Sequence, residues 1–198
     1  MKKFATIIIL MLLVSSAALA QGKIGVKGGL NFDSYKDISG SVNDTWNRQT
    51  GYHFGLLVQT KIPIIGLGFQ PELLFVRKGV ENQTDPTKNF HLDYLTLPLN
   101  LQVGLDLLLF RPFIMVSPYI SYAIGKGDML GNTDWDNLNR FDYGYGLGVG
   151  VDLWKLQITG KYNWGLGKLQ DAGSTPINGT TLRNAKIEGF QLSVAILF

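Results

Sequence analysis

Arg140-Phe141-Asp142-Tyr143-Gly144-Tyr145-Gly146-Leu147-Gly148-Val149-Gly150-Val151 is the stretch that decides the fold. Phe141, Tyr143, Tyr145, Leu147, Val149 and Val151 share one parity, and Arg140, Asp142, Gly144, Gly146, Gly148 and Gly150 share the other. A strand sends successive side chains to opposite faces, so one face here is wholly large and apolar. The other is glycine and charge. That second face makes a poor exterior, but it suits a narrow lumen in which side chains from neighbouring strands need room. The aromatic and branched face is then the outside and meets lipid, the reverse of a soluble ligand-binding barrel.

The same two-faced pattern recurs in both directions along the chain. Towards the end, Phe190, Leu192, Val194, Ile196 and Phe198 alternate with Gln191, Ser193, Ala195 and Leu197. In Lys155–Leu166 the outward set is Leu156, Ile158, Tyr162 and Trp164, against Gln157, Thr159, Lys161 and Asn163 inward. In Tyr94–Val103, Leu95, Leu97, Leu99, Leu101 and Val103 oppose Tyr94, Thr96, Pro98, Asn100 and Gln102. Arg111–Ile124, Lys23–Phe32, Thr50–Ile62 and Gly66–Val76 complete the set. Most of these stretches are near the roughly 9–11 residues a tilted strand needs to cross a bilayer. Pro98 and Pro118 sit mid-strand, where a missing N–H predicts bulges or local bends. The connections alternate: Pro63–Ile65, Gly104–Phe110 and Leu153–Trp154 are short, whereas Asp33–Gln49, Arg77–Asn89, Lys126–Asn139 and Gly167–Lys186 are long and polar. The pattern predicts an all-β chain forming an eight-stranded, antiparallel, up-and-down transmembrane β-barrel. Its short turns and both termini are expected in the periplasm, and its four long loops outside the cell.

A cleavable signal peptide is expected at 1–20, followed by the barrel domain at 21–198. Met1-Lys2-Lys3 is a positive leader, Phe4–Val14 is an unbroken apolar run, and Ala18-Leu19-Ala20 fits a signal-peptidase site. The run is too short to span a bilayer as a helix, which takes about 20 residues. No cysteine follows, which excludes lipoprotein anchoring, a disulfide framework and a thiolate metal site. Without Lys2 and Lys3, 16 basic residues face 15 acidic ones, and no basic stripe points to nucleic acid.

The expected lumen charges are Lys27, Lys61, Glu72, Arg140, Asp142 and Lys161, accompanied by Gln70, Gln102, Gln157 and Gln191. Eight strands leave an interior only just wide enough for side chains to fill. Groups of opposite sign should therefore pair and plug it, with Glu72 meeting Lys27, Lys61 or Lys161, because an unpaired charge there is costly. The expected role is a non-enzymatic scaffold displaying four loops, for surface interaction or membrane integrity. The alternatives are a narrow pore or transport-related barrel, and a soluble periplasmic lipocalin-like binder of an apolar ligand.

Other chemistries find little support. His53 and His91 are the two histidines, and no spacing ties Ser34, Ser39 or Ser41 to either in a triad-like pattern. Asp128, Asn132, Asp134, Trp135, Asp136 and Asn139 lack EF-hand spacing and are ordinary loop residues. The Asn-x-Thr triplets at Asn43, Asn82 and Asn178 are read as chance. No catalytic, cofactor or metal site is expected. Trp154, with Tyr162 and Trp164 further along the same strand, is expected at the two membrane interfaces as aromatic girdles. The expected partners are outer-membrane lipid and the barrel assembly machinery, which would read Phe190, Leu192, Val194, Ile196 and Phe198 by strand addition. A monomer is expected.

The chain also resembles the porin-like (PorT-like) outer-membrane β-barrel proteins of Bacteroidetes-type bacteria. The resemblance is carried, in order, by Gly25-Val26-Lys27-Gly28-Gly29-Leu30-Asn31-Phe32, Phe69-Gln70-Pro71-Glu72-Leu73-Leu74-Phe75, Tyr94-Leu95-Thr96-Leu97-Pro98-Leu99 and Ser117-Pro118-Tyr119. Tyr143–Gly150 and Lys161-Tyr162-Asn163-Trp164-Gly165-Leu166 continue it. Thr96 stands where that family more often carries a carboxylate. The resemblance implies an eight-stranded barrel, and despite the label it does not imply a pore.

Overall fold

The computed structural model describes residues 22–36, 46–62, 66–82, 90–126, 140–167 and 186–198. The expected signal peptide and most of the four long loops lie outside the described residues. Eight strands form: β1 (Lys23–Lys36), β2 (Trp46–Ile62), β3 (Leu67–Asn82), β4 (Phe90–Gly104), β5 (Arg111–Lys126), β6 (Phe141–Leu153), β7 (Leu156–Gly165) and β8 (Lys186–Leu197). Each pairs antiparallel with its sequence neighbours, and β8 returns to β1 to close the barrel. Closure leaves no open edge, the condition for a sheet in hydrocarbon. At the seam the Phe198 N–H donates to the Ile24 carbonyl at 2.7 Å.

The faces follow the alternation. Ile24, Val26, Leu56, Leu73, Leu101, Ile114, Leu147, Val149, Leu192 and Ile196 are exposed on the outside, while Lys27, Gln70, Glu72, Asp142, Gln157 and Lys161 are buried inside. An apolar exterior around a polar interior excludes the soluble binder of an apolar ligand, whose lumen would be apolar.

Two expectations are corrected, the strand lengths and the bulges at the prolines. Several strands run beyond the stretches read as strands, and β3 continues through Arg77 and Lys78 to Asn82. The charges that look like loop obey the same parity as the strand before them. The prolines also leave the register intact. The β3–β4 ladder steps from Pro71↔Leu99 to Leu74↔Thr96, and β4–β5 from Pro98↔Tyr119 to Leu101↔Val116, without a shift. A proline removes one donor, and the bonds on either side hold the pairing. The register shifts instead fall between Arg48 and His53 and between Asp93 and Tyr94.

The glycines of β6 are explained by what faces them. A Cβ on Gly144 would stand 2.7 Å from Tyr119 Oη, one on Gly146 2.5 Å from Asn163 Oδ1, and one on Gly148 3.0 Å from Lys161 Cβ. The bare strand makes room for bulky lumen side chains of β5 and β7.

Candidate functional site in the barrel lumen

The lumen divides into a densely bonded half at the short-turn end and a second polar group nearer the long loops. In the first half, the Lys27 ammonium lies 2.8 Å from Glu72 Oε1, both side chains essentially without solvent contact. Gln70 Nε2 donates to the same carboxylate oxygen at 2.7 Å. Gln70 Oε1 accepts from Gln59 (3.1 Å), Gln102 (2.9 Å) and Gln157 (3.0 Å). Gln70 Nε2 also donates back to Gln157 Oε1 at 2.9 Å.

A second centre is Asp152. It receives Lys61 at 2.5 Å, Arg111 Nη1 at 3.2 Å and Gln157 Nε2 at 2.7 Å. Arg111 further donates to Gln102 Oε1 (3.1 Å) and to the Gly66 carbonyl (3.0 Å). Buried charges persist only when paired and hydrogen-bonded, and each of these ionised groups has an opposite partner. The linked side chains come from β1, β2, β3, β4, β5, β6 and β7, so the network ties the wall together across its diameter.

Towards the loop end, Lys78 Nζ lies 3.6 Å from Asp142 Oδ2 and sits over the Tyr94 and Tyr119 rings at 5.2 and 5.4 Å. Lys161 donates to Ser117 Oγ at 3.2 Å. The free space among Asp33, Lys78, Tyr119, Lys161 and Gln191 is about 20 Å³, room for about one water molecule.

Between the two groups, His53 Nδ1 lies 2.9 Å from Asn31 Oδ1 and Nε2 lies 2.9 Å from Ser193 Oγ. A histidine between a hydroxyl and an amide oxygen has the connectivity of a nucleophile, base and orienting group. Here the three are sealed: His53 is 1% and Ser193 2% exposed. A Cβ on Gly29 would stand 2.6 Å from His53 Cε1, so the bare β1 backbone packs directly against the imidazole.

Of the six lumen charges expected from sequence, the structure brings Lys27 and Glu72 together. It places Lys61 on Asp152, Asp142 on Lys78 and Lys161 on Ser117. Arg140 stands just before β6, and its Nη1 reaches the outward-facing Tyr122 hydroxyl at 3.5 Å. Arg111, Asp152, Gln59, Lys78 and the Asn31–His53–Ser193 link were not among the site residues expected from sequence. Parity is the signal that carries them, since Asp152 continues the Gly144–Gly150 face and Lys78 the Gln70–Glu72 face. Phe190, Leu192, Val194, Ile196 and Phe198 all lie exposed on the outer face. Trp154 is exposed in the β6–β7 turn with Lys155 over its ring at 5.3 Å, while Trp164 contacts Tyr145 and Tyr162 at 5.3 and 4.8 Å. Among the described residues no group of acidic, histidine or cysteine side chains is arranged to hold a metal ion. The acidic third loop, Ser39, Ser41, Asn43 and Asn178 lie outside the described residues.

Residues 19–171 match a sequence family described as outer membrane protein beta-barrel domain. Among solved structures, Neisserial surface protein A is similar with a TM-score of 0.51 at 14% identity, covering 88% of this chain and 97% of that one. That likeness bears on the fold alone. The attachment invasion locus protein Ail of Yersinia pestis, solved with the heparin analogue sucrose octasulfate, gives 0.44 at 11% identity over 90% and 99% of the two chains. A major outer membrane protein from Thermus thermophilus gives 0.39 at 15% identity over 89% and 99%. No curated protein matches the chain.

Proposed function

The chain belongs to the outer membrane protein β-barrel family and resides in the bacterial outer membrane, and from that premise we propose that it is a plugged, non-enzymatic scaffold. It would display its four long loops at the cell surface, for surface interaction or membrane integrity, with the short turns and both termini in the periplasm. Within the family, the ordered motifs from Gly25 to Leu166 favour the porin-like (PorT-like) branch of Bacteroidetes-type bacteria. The observation that carries the scaffold reading is the Gln70–Gln157 contact, which crosses the lumen from β3 to β7. An ion would have to break that contact and the Asp152 cluster to pass. Recording from the purified barrel in a planar bilayer tests the reading: no steady conductance is expected, and a stable single-channel current of porin size would sink it.

The burial of His53 and Ser193 inside the barrel supports the non-enzymatic part of the reading. For partners, the outward Phe190, Leu192, Val194, Ile196 and Phe198 suit recognition of the last strand by the barrel assembly machinery. Main-chain bonds would supply affinity and alternate side chains specificity. Afterwards the same side chains would face lipid, and the barrel would act as a monomer.

A further inference from the structure

The β4–β5 turn, Leu105-Asp106-Leu107-Leu108-Leu109-Phe110, is anomalous for a loop at a water-facing rim. Leu108 is fully exposed and Leu109 80% exposed, and Leu105, Leu107 and Phe110 are exposed beside them. Loops that end in water carry polar turn residues, and a contiguous apolar patch marks an interaction surface. The single charge in the turn, Asp106, is directed at the buried Arg111, its Oδ1 3.5 Å from Arg111 Nε.

The base of the turn is fixed. The Gly104 N–H donates to the Gly66 carbonyl at 2.8 Å, and Arg111 Nη2 donates to the same oxygen at 3.0 Å. Leu105 N–H donates to the Pro112 carbonyl at 3.0 Å and Leu107 N–H to the Phe110 carbonyl at 3.1 Å. The patch is also continuous with the lipid-facing wall. Leu101 and Val103 lead down β4 into Leu105, and Ile114 leads down β5 towards Phe110, all exposed on the outside. Trp154, an interfacial side chain by type, lies in the β6–β7 turn at the same end of the barrel.

We propose that this turn is a membrane anchor: Leu107, Leu108 and Leu109 seat in the acyl–headgroup boundary of the leaflet at the short-turn rim. The partner is lipid. The Asp106–Arg111 pair draws the one turn charge back towards the barrel, and the Gly66 clamp holds the turn rigidly against the wall. The depth of the turn does not depend on which rim faces the periplasm.

The chain has no cysteine, so Leu108→Cys accepts a single environment-sensitive nitrobenzoxadiazole label. The labelled barrel is inserted into dioleoylphosphatidylcholine vesicles, and folding is checked by heat-modifiable migration. Expected are a blue-shifted emission, several-fold weaker quenching by aqueous iodide than in urea-unfolded protein, and strong quenching by a lipid with a nitroxide near its carbonyls. Iodide-accessible emission indifferent to the nitroxide lipid overturns the proposal. So does emission shielded from both quenchers, which would mean that a second copy of the chain covers the turn. Labelled Leu105→Cys repeats the measurement should the Leu108 variant fail to migrate as folded.

Discussion

Gln70 and Gln157 exchange two amide hydrogen bonds, at 2.9 and 3.0 Å, between strands on opposite sides of the barrel. Gln70→Leu keeps the volume and removes both, along with the acceptor for Gln59 and Gln102. Buried groups left without a partner cost about 1–3 kcal/mol each. The urea midpoint of the vesicle-inserted variant should fall clearly. The bilayer should stay silent, because the Lys27–Glu72 and Asp152 links remain.

The Lys27–Glu72 pair predicts an asymmetry. Lys27→Met strands a buried carboxylate and should destabilise by about 3–5 kcal/mol. Replacing both, as Lys27→Met with Glu72→Leu, should recover most of that loss. A double mutant no more stable than Lys27→Met alone would show that the pair contributes net stability that apolar side chains cannot replace.

The space opposite the β6 glycines is already occupied. Gly146→Val places branched carbon against Asn163 and Lys161 and should cost about 1–3 kcal/mol through overpacking. Gly160 lies near Phe190, with a Cβ there 3.2 Å from the ring, so Gly160→Ala should be milder. Fractions folded, read from the gel shift across a urea series, compare the two.

The Asn31–His53–Ser193 link is predicted to be structural. A fluorophosphonate should leave Ser193 unlabelled in the folded barrel, and His53→Ala should lower the urea midpoint. Labelling that depends on His53 and on the folded state would show an accessible nucleophile and overturn the non-enzymatic reading.

Removal of Phe198 should slow insertion into vesicles carrying the assembly machinery several-fold. Spontaneous insertion into thin-bilayer vesicles without it should change less. Equal slowing in both would assign Phe198 to closure of the barrel through its bond to Ile24 alone.

Facing is legible in the sequence because period-two alternation survives in every strand, and Arg140–Val151 makes the direction unambiguous. Partner choice inside the lumen is not. Lys61 meets Asp152 across 91 residues, a contact set by strand tilt and stagger and by no local pattern. Lys78 is hidden for a different reason, since a run of charge after Val76 resembles a loop. Ser193 escapes notice because it sits inside an apolar strand, where its hydroxyl reads as filler between large side chains.

The two halves of the lumen also differ in mechanical character. Near the short turns, the Gln70 and Asp152 clusters act as spokes, so flattening the wall into an oval would stretch hydrogen bonds along several diameters at once. Nearer the loops, Lys78 rests between two aromatic rings with one longer ion pair to Asp142. Lateral pressure from a crowded membrane should therefore deform the loop end of the strands before the hub.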